Sequence, residues 1–396
     1  MKALVIAPQP FFSPRGTPFS VYYRTLVTAE FGVDIDLLTY GEGEDVDIPG
    51  VRLHRIPRFA ALGNVKIGPS SLKALLDLFL FAKAVALLAR NRYDFVHAHE
   101  ESVFFCRFLK PLFGFRLLYD MHSSLPQQLR NFEFTESRVI TFIFRRLEES
   151  CLRAADGVIS ICPDLARYVE GLPGAGDKHF LIENSIFEPV RLRKDAAGEE
   201  GAEAPLPLPA GRKLIVYAGT LEPYQGIELL LPAFKEAVSR EPAAFLLVVG
   251  GSQEQVRAYR EQAAGLGLAG DCLFTGRVGQ GLAKHYAGRA AVLVSPRSSG
   301  TNTPLKIYEQ MASGIPLVAT RIHSHTQVLN DDVAILVDPE PGAMAAGLLS
   351  ALGGEGSGKA ARARQLYQER YSPAAYKRKM RQVLELLGTA CVESPA

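Results

Sequence analysis

The stretch SPRSSGTNTPLKIYEQMASGIPLVAT, from Ser295 to Thr320, holds the densest group of residues able to do chemistry. Arg297, Gly300, Thr301, Asn302 and Thr303 form a polar loop, and Pro304 follows at the first position of a helix, where its missing N–H costs nothing. Such a helix start offers free backbone N–H groups and the positive end of the helix dipole, and Lys306 and Arg297 stand near enough to add charge. That combination suits a diphosphate. Glu309, in the second turn, could accept two hydrogen bonds from the vicinal hydroxyls of a ribose; its other reading is an exposed helix carboxylate.

Weaker groups lie elsewhere. Arg15 and Gly16 precede Thr17 and Pro18 at a helix start, where glycine lets the backbone approach a ligand and free N–H groups favour an anion. The segment is neither GxGxxG nor GxxxxGK[ST], and its other reading is a plain βα turn. One strand ends in His97-Ala98-His99-Glu100 and another runs into Met121-His122-Ser123-Ser124. His122, just past its strand, is the better candidate, whereas His97 should point into the sheet packing by alternation. The imidazoles raise the alternative of a metal, which is disfavoured because no carboxylate or cysteine cluster accompanies them at ligand spacing. Gly250-Gly251-Ser252 and Phe274-Thr275-Gly276-Arg277-Val278 follow two further strands.

Parallel sheets must position these residues. Short apolar, β-branched runs alternate with helical patterns throughout, the signature of βα units. The predicted strands of the first half are 2–7, 33–39, 51–56, 94–98, 116–120, 157–161 and 180–183, and those of the second are 213–218, 245–249, 272–275, 291–294, 316–319 and 334–337. Between them RLRKDAAGEEGAEAPLPLPAG has no apolar periodicity and reads as an exposed linker. The expected organisation is a first doubly wound domain over 1–190, a linker over 191–211, a second domain over 212–370, and a last helix over about 371–390 that packs back onto the first domain. Ligands should bind outside the carboxyl ends of the strands, where the two sheets would face each other across a cleft.

Bulk properties narrow the partners. With 44 Lys and Arg against 42 Asp and Glu in 396 residues, the net charge of +2 makes no case for nucleic acid. The five cysteines, 106, 151, 162, 272 and 391, are scattered without CxxC spacing, which fits a reduced, cytoplasmic protein. MKALVIAPQP reads as a first buried strand and not a signal peptide. In the apolar stretch Leu72 to Ala89, Lys73, Asp77 and Lys83 interrupt any membrane span; with Arg90 they fall on one side of a strongly amphipathic helix, read as covering a core.

Taken together, PLKIYEQMASGIPLVATRIHSHTQVLNDDVAILVDP, YAGTLEPYQGIELLLPAF, LLVVGGS, FTGRV and RAADGVISICPDL resemble a retaining glycosyltransferase of family 4 with the two-domain GT-B fold. The resemblance implies metal-independent transfer, with retained configuration, from a nucleotide-sugar held by the second half to an acceptor held mainly by the first. By analogy Glu309 would hold the ribose, Leu305 and Lys306 would lie by the diphosphate, Gly16 would approach it from the acceptor domain, His122 would stand near the transferred sugar, and Arg277 and Val278 would meet the base.

Three positions depart from the family pattern. Thr301 replaces the first Glu of the Glu-x7-Glu pair, Thr220 the usual phosphate Arg, and Gln225 the usual Lys. Two lost cations would remove charge-assisted bonds of roughly 1.5 to 3 kcal/mol each. Arg297, Lys306 and Arg277 are the available substitutes, with Arg15 reaching from the opposite domain. His122, Arg297 and Lys306 are therefore the candidate catalytic residues, and Gly16, Arg15, Gly250, Arg277, Val278, Thr301, Asn302, Thr303, Leu305 and Glu309 the candidate donor-binding residues, with no metal or cofactor expected.

The expected acceptor is a glycan or a lipid-linked molecule, with peripheral contact at the inner face of a membrane, because Leu72 to Ala89 and FFCRFLKPLFGFRLL offer amphipathic, partly basic surfaces; the other reading of both segments is core. The alternatives are a nucleotide-sugar-binding subunit without catalysis and an epimerase or hydrolase of the same architecture. The latter would need acid/base carboxylates, for which only Glu133 and Glu222 are available.

Overall fold

The computed structural model describes residues 1–13, 16–58, 71–124, 138–184, 190 and 205–388. The chain divides into two compact units, Met1–Gly198 with Pro373–Ala396, and Glu199–Ser372. Arg15, Glu133 and linker residues 191–204 lie outside the described residues.

The first unit runs β1 (Lys2–Ala7), α1 (Gly16–Glu30), β2 (Asp34–Thr39), β3 (Val51–Arg55), α2 (Ser71–Arg90), β4 (Phe95–His99), α3 (Ser102–Phe113), β5 (Arg116–Met121), α4 (Arg138–Ala154), β6 (Gly157–Ser160), α5 (Pro163–Glu170) and β7 (His179–Leu181). All strand pairs are parallel, in the order β3-β2-β1-β4-β5-β6-β7. A parallel sheet needs cover on both faces, and strand alternation provides it: Leu4 and Ile6 of β1 join one apolar core while Ala3, Val5 and Ala7 join the other.

The second unit runs β8 (Lys213–Ala218), α6 (Ile227–Arg240), β9 (Ala244–Val249), α7 (Gln253–Gly265), β10 (Cys272–Gly276), α8 (Gln280–Gly288), β11 (Val292–Ser295), α9 (Leu305–Ser313), β12 (Leu317–Thr320), α10 (His323–Thr326), β13 (Ile335–Val337), α11 (Pro341–Leu352) and α12 (Ser357–Arg370). Its six strands are parallel in the order β10-β9-β8-β11-β12-β13. The last helix, α13 (Pro373–Leu386), belongs to the first unit, where Tyr376, Met380, Val383 and Leu384 enter the same core as Val5 and Ile35.

Every predicted strand is present, with ends displaced by a residue or two. In each sheet the strand order reverses once, between β1 and β4 and between β8 and β11, and the carboxyl ends at such a switch point are where open sheets bind ligands.

One helix departs from its sequence reading. An amphipathic helix covering a core keeps its charged side in water, yet α2 turns Lys73 and Asp77 inward and leaves Leu75 and Leu78 exposed, at 43% and 62%. The inversion is stabilised by partners that lie far off in sequence: Lys73 pairs with Glu101, and Tyr40 donates to Asp77 at 2.5 Å. Leu76, Leu80, Ala84 and Leu87 still fill the core, so the apolar stripe is wider than one core face needs.

Candidate functional site

In the second unit the switch point gathers the ends of β8 and β11 with the start of α9. The helix begins at Leu305, one residue later than the sequence suggested, and Pro304 is its N-cap. Lys306 therefore lies in the first turn. Its ammonium stands 3.3 Å from Gln225 Oε1 and 4.1 Å from the centre of the Tyr217 ring. Gln225 in turn donates to Thr220 Oγ1 at 3.3 Å, and Tyr217 donates to the Thr220 carbonyl at 2.5 Å. The two positions that lack a cation thus border the one Lys that α9 supplies.

No carboxylate pairs with Lys306 or Arg297 among the described residues. Burial, and then the neighbouring Arg297 charge, lower the Lys306 pKa to about 7. The surroundings therefore disfavour charge on an ammonium that has only an amide oxygen and a ring face beside it. Two adjacent cations without an anion form a site that an anion would stabilise.

Arg297 is placed differently from its expected role. Its Nε donates to the Ser299 carbonyl at 2.6 Å, its Nη1 reaches the Asn302 carbonyl at 3.4 Å, and its guanidinium lies 5.1 Å from the centre of the Tyr224 ring. It holds its own loop. That loop is pinned further by Ser298 N–H donating to the Tyr224 carbonyl at 2.9 Å, Thr320 Oγ1 to the Arg297 carbonyl at 2.5 Å, and Gln327 Nε2 to the Thr301 carbonyl at 2.5 Å. Thr303 Oγ1 is buried without a hydrogen-bond partner among the described residues.

The remaining candidates surround this centre. Gly250 follows β9 with φ at 115°, and a Cβ there would overlap the Gly219 carbonyl, so the close approach to the end of β8 requires glycine. Gly219 itself runs so close that a Cβ would lie 3.4 Å from Lys306 Nζ. Arg277 is exposed after β10, and Val278 is half-buried beside it. The Glu309 carboxyl is half-buried, and burial, opposed by Lys284, raises its pKa. Glu222 is tied to α7 through Gln255, at 3.2 Å.

Sequence reasoning missed His325. This fully buried imidazole joins Ser295 Oγ at 3.0 Å to Thr320 Oγ1 at 3.1 Å, locking the ends of β11 and β12 beneath the loop. Burial is the main cause that lowers its pKa to about 4, so it packs as a neutral ring.

The first unit gathers its polar residues at the ends of β4 and β5. Register sets His99 opposite Asp120, which supplies the carboxylate that linear spacing does not show. Asp120 Oδ2 accepts from Arg24 Nε at 2.5 Å and lies 3.3 Å from His97 Nε2; His99 Nδ1 stands 3.0 Å from His122 Nε2. Arg24 also donates to Tyr376 Oη at 2.9 Å and to the Ile182 carbonyl at 2.7 Å. All of these side chains are buried. Desolvation dominates the three imidazoles and keeps them neutral: His122 falls to about 4, His97 falls, and His99 falls further. For Asp120 burial acts upward, but the Arg24 charge and the imidazole contacts outweigh it and hold the carboxyl well below its ordinary range.

Donor atoms of His97, His99 and Asp120 lie within 4.8 Å of one another, a metal-sized cluster. A carboxylate therefore does accompany the imidazoles, contrary to the expectation from linear spacing. Arg24 already neutralises Asp120, and a divalent ion would add uncompensated charge beside a buried guanidinium. Glu100, with a left-handed φ of 50°, follows β4 beside this cluster, and burial is the largest influence raising its pKa to about 7. Its strained backbone had no sequence signal.

Comparison with known proteins agrees with this architecture. Residues 24–185 match the family described as Glycosyl transferase 4-like domain, and residues 212–353 match Glycosyl transferases group 1. The chain is a GT-B glycosyltransferase of this group 1/4 type. A phosphatidyl-myo-inositol mannosyltransferase of Mycolicibacterium smegmatis is 24% identical over 363 residues, covering 89% of this chain and 85% of its own. Among solved structures, sucrose-phosphate synthase of Thermosynechococcus elongatus superimposes with a TM-score of 0.73 at 22% identity, covering 98% of this chain and 99% of its own. HepE of Anabaena, in complex with UDP and glucose, gives 0.67 at 16% identity, covering 97% and 99%.

Proposed function

We propose that this glycosyltransferase takes its sugar from a nucleoside-diphosphate sugar bound at the switch point of the second unit, with retention of configuration and without a metal. The observation that carries the reading is the Lys306 ammonium, beside Arg297 and with no opposing carboxylate among the described residues. A bound diphosphate would supply the missing negative charge, assisted by the Leu305 and Lys306 backbone N–H groups at the α9 N-terminus. Glu309 would hold the ribose and His122 would meet the sugar. HepE, solved with UDP, is a structural neighbour whose ligand belongs to this class.

Mixing the protein with a panel of UDP-, GDP- and ADP-sugars and following the anomeric protons by NMR tests this reading. One nucleotide-sugar should be turned over slowly to nucleoside diphosphate and a sugar of unchanged anomeric form, in the presence of EDTA. An inverted product removes retention, loss of turnover to EDTA with rescue by magnesium removes metal independence, and binding without turnover points to a non-catalytic subunit.

For the acceptor we propose a lipid-linked molecule reached at the inner face of a membrane. No described helix is long and apolar enough to cross a bilayer. Helices α2, α3 and α4 lie side by side, with Phe81 of α2 edge-on to Phe105 of α3 at 5.6 Å. They expose Leu75 and Leu78, Phe108 and Leu112, and Phe142 and Ile143, flanked by Lys83, Arg107, Arg145 and Arg146. Apolar side chains bordered by cations match the boundary of an anionic bilayer. Co-sedimentation with phosphatidylglycerol vesicles should be lost in a Leu78→Glu, Leu112→Glu, Ile143→Glu triple variant; a wild-type chain that ignores such vesicles at low salt refutes the contact.

A further inference from the structure

The loop over 296–303 is held by its carbonyl oxygens. Arg297 takes those of Ser299 and Asn302, Gln327 donates to that of Thr301, and Thr320 Oγ1 donates to that of Arg297 at 2.5 Å. A carbonyl oxygen carries partial negative charge and only accepts. Released and turned toward Lys306, it would compete with a diphosphate for the ammonium.

The hold on the Arg297 carbonyl depends on a further residue. His325, on α10, is fully buried behind Thr320. Burial keeps its ring neutral, so one nitrogen bears a proton and the other accepts. Nδ1 stands 2.8 Å from the Thr320 carbonyl oxygen and 3.1 Å from Thr320 Oγ1, and Nε2 stands 3.0 Å from Ser295 Oγ. Because the carbonyl only accepts, the first of these contacts requires the proton on Nδ1, and Nε2 then accepts from the Ser295 hydroxyl. With Nδ1–H facing it, Thr320 Oγ1 has no acceptor on the ring and sends its own proton to the Arg297 carbonyl. In the opposite tautomer a bare Nδ1 would face the Thr320 carbonyl and draw the hydroxyl proton away from Arg297.

We infer that His325 is a positioning residue of the donor site: as its Nδ1–H tautomer it directs the Thr320 hydroxyl onto the Arg297 carbonyl, and so keeps the loop in the shape that leaves Lys306 for a diphosphate. Ser295 and Thr320 end the neighbouring strands β11 and β12, so one ring ties both strand ends to the loop that follows the first. The consequence for binding rests on the reading that a nucleotide-sugar occupies this switch point; the tautomer does not.

Two-bond proton–nitrogen correlation spectra of the full chain labelled with 15N-histidine read the tautomer directly, the His325 signals being those absent from His325→Asn. At pH 7 the Nδ1–H form is expected, and an Nε2–H form overturns the inference. Calorimetry with UDP, GDP and ADP reads the site, using whichever the wild-type chain binds most tightly. Thr320→Val keeps the shape and the backbone carbonyl and loses only the hydroxyl, and it should weaken that nucleotide about fivefold per folded molecule, the size expected for one hydrogen bond. His325→Leu should weaken it at least as much, and His325→Asn, whose amide can donate from the place of Nδ1, should recover most of the loss. If the leucine variant does not fold, Thr320→Val decides alone. Wild-type affinity in folded Thr320→Val, with or without a lower melting temperature, overturns the positioning role, as does an asparagine variant no better than a folded leucine one. A wild-type chain that binds none of these nucleotides removes the donor-site reading and the positioning role with it, while the spectra still decide the tautomer.

Discussion

Exchanging Lys306 for methionine separates a donor-binding cation from a structural one. In the free protein the Lys306 pKa is lowered to about 7, against 10.5 in an unfolded chain. Because the folded value is the lower one, the unfolded chain binds more protons between these limits, so this residue makes the free protein more stable as pH rises from about 7 toward 10.5. Below that window the fold bears the full cost of the buried charge. A nucleotide-sugar reverses the preference, since its diphosphate stabilises the ammonium. If only the protonated form binds, the competent fraction falls from about one half at pH 7 to about 3% at pH 8.5, and the apparent affinity drops about fifteen-fold. Each phosphoryl group of a nucleotide-sugar carries one ester and one anhydride bond and a single strongly acidic oxygen, so both keep their charge throughout and the slope reports the protein.

Titration calorimetry at pH 6.5, 7.5 and 8.5 in buffers of different ionisation enthalpy should show this decline and proton uptake near pH 7.5. Lys306→Met should abolish both, weaken binding at pH 6.5 by about 10- to 150-fold, as expected for charge-assisted bonds of roughly 1.5 to 3 kcal/mol, and raise the unliganded melting temperature at pH 6.5. A flat affinity between pH 6.5 and 8.5, or a methionine variant that binds normally, refutes the reasoning.

Arg297→Ala should lose both stability and turnover, since the side chain bonds its own loop beside Lys306; turnover per folded molecule should fall at least about tenfold, and Arg297→Lys should recover only part. Normal turnover in a less stable variant would confine Arg297 to holding the loop. Glu309→Gln should weaken nucleotide binding by roughly 1 to 3 kcal/mol by calorimetry with the fold intact, and unchanged affinity would remove it from the ribose site. Acid should unfold the protein early: His97, His99, His122 and His325 are all buried with lowered pKa, so below pH 6.5 the unfolded chain gains protons that the fold refuses. Stability should then fall by up to about 5.5 kcal/mol per pH unit, at about 1.4 for each of the four imidazoles, and denaturant midpoints that stay level from pH 6.5 to 5 would contradict this.

The sequence alone determined the strands and the class of fold. Many of the buried parallel strands are short runs of apolar residues followed closely by Gly, Ser, His or Asp, a local pattern that survives without knowledge of its neighbours, as in VYAGT, VVGGS and LVSP. It also located Lys306 and Arg297, because a polar loop entering a helix through Pro304 is read from consecutive residues. Only the tertiary structure decided which cation stays uncommitted: Lys306 rests against Gln225 from a loop 81 positions earlier, while Arg297 turns back on Ser299. The same holds for Asp120, which meets Arg24, His97 and His99, and through Arg24 is linked to Tyr376, by strand register and the return of the last helix. It holds too for α2, whose Lys73 and Asp77 turn inward because Glu101 and Tyr40 are there to receive them. Apolar periodicity is written in neighbouring residues, whereas the fate of a charged side chain depends on whichever partner the fold carries to it.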